Sequence, residues 1–189
     1  MTDPNHDLSA FSETRIDSEQ VYDGVLLKAY RDRIVLPNGH ESVREYLKHP
    51  GAVCLVPITD DGDVLMVRQF RYPFGRMILE VPAGKLDAGE ASEAAARREL
   101  SEETGAEAEE LIDLGCFYPS VAYTDEIIYT YLARGLTFAD QHLDDDEFLA
   151  VERIPLERLC GMVLSGEIAD GKTQSAILKA AAWLRTHGR

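Results

Sequence analysis

The sequence predicts an α/β fold, in which helices pack on a mixed central sheet. Short apolar runs such as AVCLVPI (residues 52–58) and VLMVRQF (64–70) have the length and the β-branched content of buried strands. By contrast, residues 91–104 are rich in Ala, Glu, Arg and Leu and contain no proline, which predicts a helix that ends at Gly105. Strands and helices that follow one another along one chain favour a single layered domain.

Turn residues and periodicity predict the remaining elements. Residues 1–18 lack periodicity and are expected to form a flexible tail. Short alternating segments within 21–43 surround a Pro-Asn-Gly turn, which predicts a strand meander. We interpret 52–58 and 64–70, which are joined by the turn DDGD, as a buried hairpin. Further strands are predicted in MILEVPAG, LIDLGCFY, EIIYTYLA and FLAVERI, and further helices at 156–164 and 173–186.

Composition and charge exclude several classes of protein. The net charge of −15 argues against a nucleic-acid partner, because such binding depends on Lys and Arg that neutralise phosphates. No stretch approaches the roughly 20 apolar residues of a membrane-spanning helix, and the start of the chain lacks the features of a signal peptide. Cys54, Cys116 and Cys160 lie far apart, so neither a disulfide framework nor a zinc site is indicated. We therefore expect a cytoplasmic protein without nucleic-acid or membrane partners.

Three glutamates of the predicted helix share one face. Glu102 and Glu103 follow Glu99 by three and four residues, so the three project along one stripe. Like charges at this spacing destabilise a helix by about 0.2–0.5 kcal/mol per pair, although Arg98 is placed to pair with Glu102. A solvated helix surface is one interpretation. The other is a site for divalent cations, which would let these carboxylates face a phosphorylated ligand.

The glutamates belong to a longer pattern with fixed spacing. Gly84 is followed after five residues by Glu90, and seven further residues lead to Arg98 and the sequence RELSEETGA. This pattern resembles the Nudix box, G-x5-E-x7-R-E-U-x-E-E-x-G-U, in which U is a bulky aliphatic residue; only Ala106 is small for its position. The resemblance implies a Nudix hydrolase. Such an enzyme has an α/β/α sandwich with a mixed central sheet and cleaves a nucleoside diphosphate linked to another group.

The resemblance also implies a metal site. Mg²⁺, with Mn²⁺ as the alternative, prefers oxygen ligands and suits carboxylates that face a diphosphate. Such ions neutralise the diphosphate and activate a water molecule. Glu90 and Arg98 are expected to orient the ligands, and Glu102 and Arg98 to belong to the catalytic set. The implied metal ligands are Glu99, Glu103, the carbonyl of Ala83 and, directly or through water, Glu102.

Residues outside the box indicate a branch of the family. The segment from 68 to 90 resembles the approach to the box in ADP-ribose and nucleoside diphosphate sugar pyrophosphatases, which implies that Arg71 and Glu80 line the substrate site. Pro119, fourteen residues beyond Gly105, is typical of the ADP-ribose group. Val121 and Ala122 replace the Pro-Gly of the usual PSPGxxxE loop, which leaves room for another nucleotide sugar such as GDP-mannose. Tyr118 and Tyr123 either stack on a base or serve only packing.

An acidic loop and the N-terminal region complete the predicted enzyme. The sequence DDDEFLAVERIP (144–155) matches a loop that supplies a general base or a further metal ligand, with Glu147 the best candidate and Asp146 the next; solvated acids are the alternative. The resemblance also implies a homodimer whose N-terminal strands cross to the partner, so that Arg44 reaches the neighbouring site. The expected division is a tail at 1–18, a dimerising strand region at 19–48 and the Nudix domain at 49–189.

Alternative functions are disfavoured. The sequence GEIADGKT (166–173) satisfies the phosphate-loop pattern G-x4-G-K-[ST], but a predicted helix precedes it where that loop needs a strand. We interpret it as a turn between two helices, with Thr173 as the N-cap of the second. A module that senses a nucleotide sugar without cleaving it would not need every carboxylate of the box. A transcription regulator would need a basic domain, for which the chain has neither room nor charge.

Overall fold

The chain divides into two compact units. A computed structural model describes residues 8–139, 141 and 148–188. The smaller unit takes in the described residues through His49 together with Ser120–Glu126, and the larger unit takes in those of Pro50–Pro119 and Ile127–Arg189. No helix in the described ranges is long and apolar enough to cross a membrane.

The smaller unit is an antiparallel meander. After a short 3-10 helix at Leu8–Phe11 come β1 (Thr14–Asp23), β2 (Lys28–Val35) and β3 (Glu41–Lys48), in the order β1-β2-β3. The predicted meander is therefore confirmed. The expected end of the tail at residue 18 is corrected, because Thr14 pairs with Val35 and residues 14–18 already belong to β1.

The larger unit contains two sheets and three helices. One sheet has the order β7-β4-β9-β8, in which β4 and β9 are parallel, and the other is antiparallel with the order β10-β5-β6. The strands are β4 (Ala52–Pro57), β5 (Asp63–Arg71), β6 (Arg76–Glu80), β7 (Ala83–Lys85), β8 (Ala106–Phe117), β9 (Ile128–Phe138) and β10 (Leu149–Pro155). The helices are α1 (Ser92–Thr104), α2 (Leu156–Leu164) and α3 (Gly171–His187).

The predicted hairpin of β4 and β5 is wrong, whereas the predicted mixed central sheet is confirmed in the order β7-β4-β9-β8. β4 pairs with β7 and β9, β5 pairs with β10 and β6, and only an isolated bridge joins Ile58 to Val64. The continuous apolar runs explain the difference. A strand that is buried on both faces is commonly paired on both edges, and its partners are then distant in sequence.

β4 is the centre of an α/β/α sandwich. Its side chains alternate, so that Val53 and Leu55 pack in a cluster with Leu100 of α1, whereas Cys54 and Val56 pack in a cluster with Ile177 of α3. Each of these six residues is fully buried. Burial of a Leu side chain contributes about 1.5–3 kcal/mol, so this packing fixes α1 and its glutamates over the sheet.

Candidate functional site

Two glutamates of α1 lie buried against β7. Glu99 is 7% exposed and Glu103 is 1% exposed. The backbone N–H of Ala83 donates a hydrogen bond of 2.9 Å to Glu103 Oε2. At the next residue, Gly84, a Cβ atom would lie only 1.8 Å from Glu99 Oε1. The carboxylate of Glu99 therefore occupies the space that any side chain at position 84 would need.

Arg98 joins three carboxylates of the box. Its Nη1 donates to Glu99 Oε1 at 2.7 Å and to Glu102 Oε2 at 2.9 Å. Its Nε and Nη2 donate to the two oxygens of Glu90 at 3.0 and 2.9 Å, and Nη2 also donates to the carbonyl of Lys85 at 3.1 Å. Charge-assisted bonds of this kind offset the repulsion within the stripe, because they place one cation among three anions. The predicted pairing of Arg98 with Glu102 is one part of this larger arrangement.

Glu90 is the carboxylate that Arg98 holds most firmly. The hydrogen bonds from Arg98, and then the backbone N–H of Asp87 at 3.0 Å, lower the pKa of Glu90 to about 2. The bonds to Glu90 in turn raise the pKa of Arg98 above its usual range. Glu90 and Arg98 are therefore both charged at neutral pH and brace the turn that enters α1.

This arrangement predicts acid-dependent stability. Because the pKa of folded Glu90 lies below its ordinary value of 4.5, the ionised side chain stabilises the fold fully above that pH. We expect this stabilisation to be lost as the pH falls from 4.5 through about 2. The difference in urea midpoint between the wild type and Glu90→Gln should therefore shrink over this range, measured in EDTA. Glu93→Gln, an exposed change in the first turn of α1, is the control. Parallel curves for the wild type and Glu90→Gln would contradict the prediction.

The carboxylates have the chemistry of a divalent-cation site. Two buried carboxylates and a partly exposed third form a hard oxygen donor set, which suits Mg²⁺ or Mn²⁺. Among the residues that the structure describes, no three acidic, His or Cys side chains are already arranged to hold a metal ion. Arg98 bonds to both Glu99 and Glu102. A bound cation would have to share these two carboxylates with Arg98.

A second charged arrangement surrounds Glu80, at the end of β6. Arg71 Nε and Nη2 donate to the two Glu80 oxygens at 2.6 and 2.7 Å, and Glu80 is only 2% exposed. Burial acts to raise the pKa of Glu80, but the bonds from Arg71 and the charge of Lys172 outweigh it and lower this pKa below its usual value. Sequence reasoning placed Arg71 and Glu80 together but missed Lys172, whose only signal was the rejected phosphate-loop pattern.

The other predicted site residues are distributed as follows. Glu147 and Asp146 lie outside the described residues, so the proposed general base stays a prediction. Pro119 is exposed in the larger unit. Tyr123 is 58% exposed in the smaller unit, and Tyr118 is 59% exposed, so neither packs in a core.

Arg44 also belongs to the smaller unit. Its Nε donates to Glu13 Oε2 at 3.0 Å, and its Nη1 donates to the carbonyl of Val43 at 3.0 Å. The side chain of Arg44 is nevertheless about half exposed, with a relative exposure of 47%. A contact between Arg44 and a neighbouring site stays a prediction.

Comparison with known proteins identifies relatives over most of the chain. An ADP-ribose pyrophosphatase of Bacillus subtilis (strain 168) is 43% identical over 90% of this chain and 93% of its own length. A methanol dehydrogenase activator of Bacillus methanolicus is 40% identical, with 88% and 91% covered. A GDP-mannose pyrophosphatase of Yersinia pestis (strain Pestoides F) is 34% identical, with 70% and 72% covered.

Structure and family comparisons agree with these relatives. A crystal structure of an ADP compounds hydrolase superposes with a TM-score of 0.83 at 25% identity, covering 94% of this chain and 96% of that one. Residues 13–47 match the nucleoside diphosphate sugar hydrolase N-terminal domain, and residues 48–175 match the NUDIX domain. The chain thus combines the box spacing, the carboxylates gathered at α1 and the sandwich around β4 with homology along most of its length. It belongs to the Nudix family of hydrolases.

Proposed function

We propose that this Nudix hydrolase is a metal-dependent pyrophosphatase for nucleoside diphosphate sugars. ADP-ribose is the leading substrate, with AMP and ribose 5-phosphate as the products. The observation that carries the proposal is the set of box carboxylates held by Arg98 beside β7, with Arg71 in the same unit. The Bacillus subtilis relative, which carries the name of this activity, supports the choice of ADP-ribose.

The metal is assigned to the glutamate stripe. Glu99, Glu103 and the carbonyl of Ala83 would hold Mg²⁺ or Mn²⁺, with Glu102 as a direct or water-mediated ligand. When bound, the ion neutralises charge on the diphosphate and lowers the pKa of a coordinated water. Manganese is the alternative, because both ions accept the same oxygen donors.

The protein's own groups carry the remaining steps. Arg98 and Glu90 keep the ligand carboxylates oriented, and Arg71 presents a planar guanidinium that matches a phosphate oxygen pair. In the proposed reaction, Glu147 accepts a proton from water while the water oxygen bonds to one phosphorus. The bond between that phosphorus and the bridging oxygen breaks, and the two monophosphates leave.

Substrate choice is assigned to the loop around Pro119. Tyr123, with its exposed ring, is proposed to stack on the base, and Pro119 is proposed as a further substrate-binding residue. Val121 and Ala122 stand where the ADP-ribose group has Pro-Gly, which keeps GDP-mannose as an alternative substrate. The Yersinia relative supports that alternative. A sensor that binds the nucleotide sugar without cleaving it is the second candidate function.

The smaller unit is proposed to form a homodimer. All ten residues of β1 are exposed, so this strand buries little apolar surface by itself. Large exposed apolar patches mark interaction surfaces, and a second copy of the chain offers the matching surface. The large exposed apolar side chains of residues 8–49 are Phe11, Ile16, Val21, Tyr22, Val25, Leu26, Leu27 and Val43.

The dimer predicts a specific sedimentation result. At micromolar concentration the full chain should sediment as a dimer, and Leu26→Asp should shift it toward the monomer, because a charge at an apolar interface is poorly solvated. Leu164→Asp, a change at an exposed leucine of the larger unit, is the control. A monomeric wild type would contradict the proposal.

The three free cysteines agree with the reducing cytoplasm to which we also assign the protein.

A substrate panel tests the proposed function. The panel contains ADP-ribose, ADP-glucose, GDP-mannose, UDP-glucose, NADH and a diadenosine polyphosphate, each with Mg²⁺, Mn²⁺ or EDTA, and the products are separated by chromatography. ADP-ribose should be preferred by at least about tenfold in kcat/KM, which is about 1.4 kcal/mol of transition-state binding. EDTA should abolish turnover. Faster cleavage of GDP-mannose would select the alternative substrate, and a rise in Tm with ADP-ribose without turnover would select the sensor.

A further inference from the structure

The start of α3 is tied to the end of β6. Asp170 is the N-cap, which corrects the prediction of Thr173: Asp170 Oδ2 accepts from the Thr173 N–H at 3.0 Å and from its hydroxyl at 2.6 Å. The hydroxyl of Thr173 in turn accepts from the buried N–H of Val81 at 3.0 Å. Because Val81 follows Glu80 directly, this turn reaches the residue that binds Arg71.

Lys172 extends the connection to Glu80 itself. Its Nζ donates to Glu80 Oε2 and, at 3.0 Å, to Asp170 Oδ2. The side chain of Lys172 is 13% exposed and that of Glu80 is 3% exposed. Glu80 is therefore held between two cations, with Lys172 on one oxygen and Arg71 on both.

The phosphate-loop pattern is thereby explained without a phosphate. Helix α2 ends at Leu164, two residues before the pattern begins at Gly166. A helix, and not a strand, therefore leads into the pattern. The lysine and threonine of the pattern bond instead to Glu80, Asp170 and Val81. These residues therefore connect α3 to β6.

The positive charge of Lys172 affects how fully Glu80 neutralises Arg71. Asp170 is compensated by the charge of Lys172, by the bonds from Thr173 and by the helix N-terminus. Lys172 also offsets part of the charge of Glu80, so Arg71 shares the compensation of this carboxylate with a second cation. Without Lys172, Arg71 would be the main counter-ion of a buried carboxylate. Arg71 remains 39% exposed, so a ligand can approach it.

We infer that Lys172 is a positioning residue: by holding Glu80 it orients the guanidinium of Arg71 and keeps part of its charge available for the diphosphate of the substrate. The inference rests on the proposed function for the identity of that anion. The geometry that carries it is independent of the substrate, because it is the shared contact of Arg71 and Lys172 with Glu80.

Kinetics provide the first test. Lys172→Met should raise KM for the cleaved nucleotide sugar by about tenfold and change kcat by less than about threefold, the pattern of a lost binding interaction. Lys172→Arg should restore KM. Lys179→Met is the matched control, because Lys179 lies in the same helix and bonds to the carbonyls of Leu114 and Cys116. A wild-type KM in folded Lys172→Met, or an equal rise in Lys179→Met, would overturn the inference.

An NMR measurement tests the positioning without any nucleotide. The Nε–H signal of Arg71, assigned with Arg71→Lys, should shift and exchange faster with water in Lys172→Met but not in Lys179→Met. An unmoved signal would overturn the inference even for an inactive wild type. Absence of turnover by the wild type would instead count against the proposed function. Lys172→Gln, which keeps a donor but no charge, provides the same comparison if the Met variant does not fold.

Discussion

Glu103→Gln is expected to abolish metal-dependent hydrolysis by a folded protein, with kcat lowered by about a thousandfold, or about 4 kcal/mol of transition-state stabilisation. Glu103 is 1% exposed and accepts a hydrogen bond from the Ala83 N–H. The amide group of Gln has nearly the same shape as the carboxylate of Glu, and its oxygen can accept that hydrogen bond. The amide lacks the negative charge that offsets the charge of a divalent cation, so the change separates the effect of charge from that of packing. Steady-state kinetics at saturating Mg²⁺ measure the loss.

The stability of this variant separates function from folding. Removal of one carboxylate relieves repulsion within the stripe, so the urea midpoint in EDTA should stay unchanged or rise. Glu93→Gln, an exposed change in the first turn of the same helix, should leave both kcat and the midpoint near their wild-type values. Wild-type kcat in Glu103→Gln would remove Glu103 from the metal site. A large fall in its midpoint would mean that the charge serves the fold instead.

The local part of the site is predictable from sequence because its residues are close along the chain. Helical periodicity alone places Glu99 and Glu103 on one stripe and Arg98 one turn before Glu102. The structure confirms the helix and this pairing. The spacing does not reveal that Glu90 and the carbonyl of Lys85 also accept hydrogen bonds from Arg98. Lys85 ends β7 and Glu90 lies in the connection to α1, so both precede the helix.

Pairing between distant segments is what the sequence could not predict. β4 lies beside β9, more than seventy residues later, and not beside β5, because its apolar residues on both faces leave its register and partners undetermined. Lys172 and Glu80 are 92 residues apart, and no local periodicity joins them. The pattern around Lys172 was visible, but only the packing of α3 showed which groups it contacts. The assignment of Glu147 remains a prediction from the resemblance.

Gly84→Ala is expected to lower kcat by about a hundredfold, the size of effect that a 1 Å misplacement of a reacting group can have. The added Cβ would lie 1.8 and 2.2 Å from the two oxygens of Glu99, so this carboxylate must move. Gly84 is not among the glycines with positive φ, so the effect is steric and not one of backbone strain. Steady-state kinetics and urea unfolding of the variant measure the two consequences separately.

Gly84→Ala should change the free energy of unfolding less than it changes kcat, because the clashing atoms belong to the end of a flexible side chain. Glu99 can turn away, but it is 7% exposed and bonded to Arg98, so the free energy of unfolding should fall by about 1–2 kcal/mol. Gly161→Ala is the matched control: no atom lies within 4 Å of its added Cβ, and in helix α2 it should add about 0.5–1 kcal/mol of stability with unchanged kcat. Wild-type kcat in Gly84→Ala would mean that catalysis does not depend on where Glu99 lies, which would contradict its proposed role as a metal ligand.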